Sequence, residues 1–363
     1  MQGSQSKRQR FAALLHDSGA LSVLLKLRER TSVPWLSILT YHRFPKPDGT
    51  EAFDDGVIDT SAEEFEQHVR CIKQHFTVVG VDELCAFAAG GELPPNSVAI
   101  TFDDGYRDNY QQALPILRKY GCRAIFFVAT SFIDERRVYW WDRVAYSLKQ
   151  STRSVVELCY PGPFRVALDD KSSAILRLLR FVKACPVLDM ERFLTGLDHA
   201  TGVPWTRELE RAFADELLMS WDDVRALKRA GMDVESHTRS HRILQTLSAV
   251  ELRAELEGSR RDLQRELGQA PRAVAYPVGK PLELASPVRP ALCRAGYQLG
   301  LTNGTGPTPT WGARDPFDIR RQTVARGLCT RFLLSILALP PLAPKHPWQG
   351  PGLPRAAGSR EKW

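Results

Sequence analysis

The chain has 363 residues, 43% hydrophobic and 25% charged, which is globular chemistry with ample apolar material for a large core. Lys and Arg (49) outnumber Asp and Glu (42) for a net charge of +7, a mildly basic balance that reads first as an ordinary solvated surface and second as one suited to anionic glycans or lipid headgroups. No nucleic-acid-binding module and no aromatic-basic interleaving accompanies that charge, which argues against a nucleic-acid partner. The seven cysteines are scattered, odd in number and free of Cys-x-x-Cys, so they predict free thiols in a reducing compartment.

Residues 1–35 read as an N-terminal helical extension. Lys7, Arg8 and Arg10 precede Phe11, Leu14, Leu15, Leu21, Leu24 and Leu25, but His16, Asp17, Ser18 and Gly19 interrupt the apolar run, so it does not read as a cleaved leader. Two readings stand. One is a basic amphipathic helix on an anionic membrane, giving a cytoplasmic protein with peripheral membrane contact. The other is a helix packed across the body of the fold that follows it, because several apolar positions fall off a single stripe. No apolar run approaches the roughly 20 residues that cross a bilayer.

Strands are predicted at Leu36–His42, Phe76–Val79, Val98–Phe102 and Ala124–Ala129, alternating with helices at Glu63–His75, Val81–Ala89 and Tyr110–Tyr120. Ser61 and Glu64 form a capping box for the first of these helices. Residues 135–220 break the alternation with helix-like segments at Val138–Gln150, Lys171–Ala184, Met190–Leu197 and Arg207–Leu218, and one strand, Val155–Tyr160. This is read as a helical insertion serving as a lid or groove wall, opened by Trp140, Trp141 and Asp142. The alternation resumes with helix Trp221–Ala230, strand Met232–Glu235, a helix capped by Ser248 and running to Leu267, strand Ala273–Tyr276, helix Pro290–Ala295 and strand Tyr297–Thr302. Such a β-then-α order argues a parallel, barrel-like sheet. Residues 340–363, rich in Pro, Gly and charge, are predicted to be a disordered tail.

The most informative stretch is Val98–Tyr106, an apolar strand ending in Asp103, Asp104 and Gly105. Adjacent residues on an extended segment point different ways, so one acid can bind a cation while the other faces a substrate. Downstream, His237 and His241 are four apart, a spacing that lets two imidazoles on one face of a helical turn grip one ion. Two imidazoles and one carboxylate make a facial triad with open positions. Phe53-Asp54-Asp55-Gly56 repeats the letters of the first motif, but no apolar strand precedes it, and no metal role is assigned to it.

The runs TFDDG and HTRSH, in this order and each at a strand end, resemble the polysaccharide deacetylases of the NodB-homology type, carbohydrate esterase family 4, over residues 36–325. The branch most similar is that of poly-N-acetylglucosamine deacetylases. The resemblance implies a distorted (β/α) barrel with its site at the C-terminal ends of the strands, spanning 36–330 with the insertion at 135–220. It also implies hydrolysis of acetyl groups on a glycan. Asp104, His237 and His241 would bind the metal, usually zinc, with cobalt or nickel able to fill such a site, and Asp103 would be the general base. The third family motif resembles Ala275-Tyr276-Pro277-Val278-Gly279, with Val278 and Tyr276 near the oxyanion or substrate. Apart from the resemblance, Trp141 offers an aromatic face for a sugar ring, the other reading being that the Trp pair packs in a core or interface. Where the family commonly has an arginine this chain has Ala275, and Arg321 is the candidate to orient Asp103 in its place. His42 resembles the Tyr-His segment that supplies the catalytic acid in the poly-N-acetylglucosamine branch. Alternatives are a carbohydrate-binding protein of the same fold that has lost turnover, and a metal-dependent oxygenase, whose usual ligand pattern is absent.

Overall fold

Strands that are apolar on both faces need cover on both sides, and this requirement sets the architecture. The computed structural model describes residues 7–30, 35–46, 48–185, 188–304, 306–312 and 314–339; the tail expected at 340–363 lies outside them. After helices α1 (Lys7–Asp17) and α2 (Ala20–Arg30) come β1 (Trp35–Tyr41), α3 (Ala62–His75), β2 (Thr77–Val78), α4 (Val81–Ala88), β3 (Ser97–Phe102), α5 (Leu114–Lys119) and β4 (Ile125–Val128). Next are α6 (Thr130–Glu135), α7 (Trp140–Gln150), β5 (Val155–Leu158), β6 (Phe164–Ala167), α8 (Lys171–Lys183), α9 (Met190–Thr201) and α10 (Arg207–Leu217). The second half runs α11 (Trp221–Arg229), β7 (Asp233–Ser236), α12 (Ala249–Leu267), β8 (Ala273–Ala275), α13 (Val288–Ala295), β9 (Leu299–Thr302), β10 (Thr308–Pro309), β11 (Ile319–Arg320), β12 (Gln322–Thr323) and α14 (Thr330–Ala338).

The main sheet has the order β10-β1-β3-β4-β7-β8-β9-β11, parallel except for β10. β12 follows β11 directly and pairs with β1 at Leu39 and Thr40, so the sheet curls into a nearly closed barrel. Period-two alternation divides each strand between two cores. Leu36, Ile38, Ala99, Ile125, Phe127, Ala275, Leu301 and Ile319 form the cluster that fills the barrel, with Leu84 and Phe87 of α4. Leu39, Tyr41, Ile100, Phe102 and Phe126 point outward under the surrounding helices.

The N-terminal extension is helical as expected, and its inner side packs on the barrel's helical layer. Ala12, Leu21 and Leu25 are buried with Phe332, Leu333 and Leu337 of α14. The short apolar run before Pro340 is therefore a buried helix. No described helix is long and apolar enough to cross a membrane. The capping boxes at Ser61 and Ser248 are both present. The helix expected at Tyr110–Tyr120 instead begins as a π turn at Asn109–Ala113, and α5 follows it.

The segment between β4 and β7 carries α6 to α10 and its own apolar cluster, built on Val144, Leu148, Leu178 and Leu197. Its single expected strand has a partner the sequence did not suggest: β5 and β6 form an antiparallel hairpin. The repeated FDDG letters are structural. Phe53 enters the insertion's cluster, and Asp54 caps a 3₁₀ turn by accepting from Gly56 N–H at 2.9 Å.

Candidate active site

The inward face of the strands continues past their C-terminal ends. Asp103 extends the series Ala99, Thr101, and Arg321 extends Ile319, so both side chains enter the barrel mouth, where His237 at the end of β7 meets them. Asp104 is turned back by a left-handed backbone (φ 69), and Gly105 (φ 75) completes the turn. A Cβ on Gly105 would sit 3.2 Å from Val128 Cγ1, so this position wants glycine for space as well as conformation.

The Asp104, His237 and His241 ligand atoms all lie within 4.8 Å of one another. Asp104 Oδ1 is 3.4 Å from His237 Nε2 and 3.3 Å from His241 Nε2, yet it is buried with no hydrogen-bond partner. His237 Nδ1 donates to the carbonyl of Ala275 at 2.9 Å, which orients the ring with its Nε2 toward Asp104. Burial pushes the His241 imidazole down to about 4, so it stays neutral at ordinary pH. Burial would raise Asp104, but His237 and His241 outweigh it and hold the carboxyl below its usual range. An orphaned carboxylate oxygen beside two imidazole rings fits a divalent transition metal.

The two histidines do not share a helical turn. Residues 237–243 are irregular, and Thr238 (φ 65) and His241 (φ 54) are left-handed, which is how a loop brings the rings to 4.8 Å between centroids. Glu255 of α12 pins this loop by accepting from the backbone N–H of Arg239 (3.0 Å) and Ser240 (2.8 Å) and from the Ser240 hydroxyl.

Arg321 donates to both oxygens of Asp103, at 2.7 and 2.8 Å, with the pair 0% and 1% exposed. Burial would lift the Asp103 pKa, but Arg321 and then His237 outweigh it and hold the carboxyl well below the usual range. His42, after β1, has Nδ1 2.9 Å from Asp59 Oδ2, and Asp59 also accepts from its backbone N–H. Burial opposes the imidazolium, yet Asp59, with help from Asp104 and Asp103, carries the His42 pKa up to about 9. Asp59 lies in a segment that reads as a polar loop and had no signal of its own.

Two expectations need correction. Tyr276 does not face the cleft: its ring is buried beside Val288 and Leu292, and its hydroxyl donates to the Phe317 carbonyl at 3.1 Å. Trp141 is not a sugar platform either. It is buried, its ring is stacked 4.4 Å from that of Tyr139, and its Nε1 donates to the Tyr106 hydroxyl at 2.8 Å. Val278 is 50% exposed and held left-handed at φ 64, a costly conformation for a β-branched residue.

A model of the polysaccharide deacetylase family matches residues 90–167 and 182–300, more than half of the chain. The putative polysaccharide deacetylase YxkH of Bacillus subtilis is 36% identical over 75 residues, 20% of this chain and 27% of that protein. Poly-beta-1,6-N-acetyl-D-glucosamine N-deacetylase of Staphylococcus aureus is 27% identical over 130 residues, 33% of this chain and 43% of that one. The match thus spans less than half the length of either curated relative. Among solved structures, the Streptococcus pyogenes deacetylase PplD in complex with acetate superposes with a TM-score of 0.55 at 20% identity, covering 85% of this chain and 99% of that one. IcaB from Ammonifex degensii gives 0.51 at 18% identity, covering 85% and 98%; both share the fold. By its matched residues and its barrel, the chain belongs to the polysaccharide deacetylase family.

Proposed function

We propose that the chain is a metal-dependent hydrolase that removes acetyl groups from N-acetylated sugars of a polysaccharide or glycan precursor. The observation that carries this reading is the buried, unpartnered Oδ1 of Asp104 facing the Nε2 atoms of His237 and His241. Zinc is the ion assigned, with cobalt or nickel suited to the same donors; bound there, it supplies Lewis acidity toward the acetyl carbonyl and lowers the pKa of water.

The chain's own residues do the rest. Asp103, fixed by the two-pronged hydrogen bond from Arg321, accepts the proton of the attacking water. His42 delivers a proton to the leaving nitrogen, because an amide anion is too basic to depart, and its partner Asp59 favours the charged form this needs. The backbone N–H of Val278 is the donor assigned to the developing oxyanion. The bond from Arg321 to Asp103 also weighs against the alternative of a binding protein without turnover, since it supplies the cation that Ala275 cannot.

The test is acetate release from N-acetylglucosamine oligomers, with and without chelator and added zinc, alongside metal analysis. Asp103→Asn should keep its metal and lose about 10²–10⁴-fold in rate. A near-wild-type Asp103→Asn would overturn the assignment of the base, and indifference to chelator that of the metal. Glycan binding without any acetate release would favour the non-catalytic alternative.

A further inference from the structure

The two histidines are held in different ways. His237 has the hydrogen bond to the Ala275 carbonyl that metal-ligating imidazoles normally use to fix ring and tautomer. No corresponding bond to the His241 ring occurs among the described residues. Its ring instead meets two aromatic rings nearly edge-on, Trp141 at 4.9 Å and 63° and Tyr139 at 5.6 Å and 71°. Those two are locked to each other, face to face at 4.4 Å and 8°, and Phe132 lies 4.1 Å from the other side of Tyr139.

The same aromatic pair reaches the carboxylate ligand. The Tyr139 hydroxyl donates to the backbone carbonyl of Asp104 at 2.6 Å, on the residue whose left-handed φ aims the carboxylate. Trp141 is anchored in turn through Tyr106, whose hydroxyl donates to Asp142 Oδ2 at 2.8 Å, while Asp142 Oδ1 accepts from Asp54 N–H at 3.0 Å. Tyr139, Trp141 and Asp142 all belong to the start of the insertion, outside both metal motifs.

We propose that Tyr139 and Trp141 are positioning residues that set the Asp104 carboxylate and the His241 ring for one ion, so that the opening turn of the insertion is part of the metal site. Left-handed backbone at non-glycine residues is costly and persists where the surroundings over-determine it. Here the surroundings include the hydrogen bond from Tyr139 on Asp104 and the edge-on contacts of Tyr139 and Trp141 with the His241 ring, beside the bonds by which Glu255 pins the loop. The proposal rests on the reading of Asp104, His237 and His241 as metal ligands.

The test is metal affinity, measured by competition with a chromophoric chelator, and the visible spectrum of the cobalt-substituted protein, which reports ligand geometry independently of turnover. Tyr139→Phe removes only the hydroxyl, and Trp141→Leu removes the ring. Each should weaken metal binding about 10–100-fold, the usual effect of losing an outer-shell partner, and change the cobalt spectrum. Trp140→Phe, next in sequence but not against His241, should do neither. If Trp141→Leu does not fold, Trp141→Phe with Tyr139→Phe decides. Variants that fold and bind cobalt within twofold of wild type, with an unchanged spectrum, would overturn the proposal alone. A wild-type protein that binds no divalent transition metal would overturn the functional reading and this one with it.

Discussion

The contact between Arg321 and Asp103 can be tested apart from catalysis. Both side chains are buried, 0% and 1% exposed, and joined by hydrogen bonds of 2.7 and 2.8 Å, with the guanidinium also over the Phe127 ring at 5.3 Å. Removing one member of a buried ion pair strands the other, at a cost of about 3–5 kcal/mol. Arg321→Met should therefore destabilise the metal-free protein by roughly that amount, while Arg321→Lys keeps the charge, loses the fork and should cost about 1–3 kcal/mol. The double variant Arg321→Met with Asp103→Asn removes both charges, and should recover at least about 2 kcal/mol of the single-variant loss without recovering turnover. The assay is urea unfolding followed by tryptophan fluorescence in excess chelator, so that metal binding contributes nothing to the midpoint. If Arg321→Met unfolds within about 0.5 kcal/mol of wild type, or the double variant is no more stable than the single, the pair is not the buried, charge-compensated contact described.

His42→Ala should keep fold and metal, lose most activity on N-acetyl sugars and little on activated aryl acetates, whose leaving groups depart unprotonated; equal losses on both would remove His42 as the acid. Burial disfavours the charged imidazole and Asp59 overrides it to reach about 9, so Asp59→Asn should move the alkaline limb of the pH–rate profile to lower pH, and an unmoved limb would refute that coupling. Burial pushes Glu235 up to about 7 although its carboxylate accepts from the N–H groups of Arg272 and Ala273, each at 2.7 Å. Between its unfolded pKa near 4.5 and the folded value near 7, the native state holds a proton that the unfolded chain has lost, so this group's contribution to stability falls as pH rises through that window. Glu235→Gln keeps an acceptor for both N–H groups and should be more stable than wild type by on the order of 2 kcal/mol above pH 7, the gap closing toward pH 4; a pH-independent difference in melting temperature would refute this. The outer sides of α1 and α2 expose Phe11 (45%), Leu14 (65%) and Val23 (58%) beside exposed Lys7, Arg10, Asp17 and Lys26. Peripheral docking on anionic lipid predicts co-sedimentation with phosphatidylglycerol vesicles that salt weakens and Phe11→Glu with Leu14→Glu abolishes; no co-sedimentation of the wild type would remove the membrane role.

The sequence carries those parts of the site that depend on local order. An apolar strand must end where its carboxylates begin, so Asp103 and Asp104 are legible from Val98–Phe102 alone, and the β/α alternation gives the parallel barrel. What is decided by contacts across the barrel is less legible. Asp59 looks like one more loop acid until β1 sets His42 against it. Tyr276 sits inside a motif but faces the outer layer, because a strand's next residue points the other way. The histidine spacing suggests a helix, whereas left-handed turns at Thr238 and His241 do the work in an irregular loop. Trp141 is conspicuous as an aromatic, but only its stacking on Tyr139 shows that no ring face is left for a sugar.

The closure of the barrel by its last two short strands has a consequence for the order in which the protein becomes complete. A ribosome that has delivered the chain as far as β9 has already made Asp104, His237 and His241, but not Arg321, which lies 218 residues after Asp103. At that stage the edge of β1 that β12 will cover is open, and Asp103 has no guanidinium beside it. One short segment, passing between β11 and β12, then seals the barrel and neutralises Asp103 in the same event. The nascent chain can thus carry Asp104, His237 and His241 before it carries the charge balance of Asp103, and the cluster becomes whole only when the first and last strands of the barrel meet.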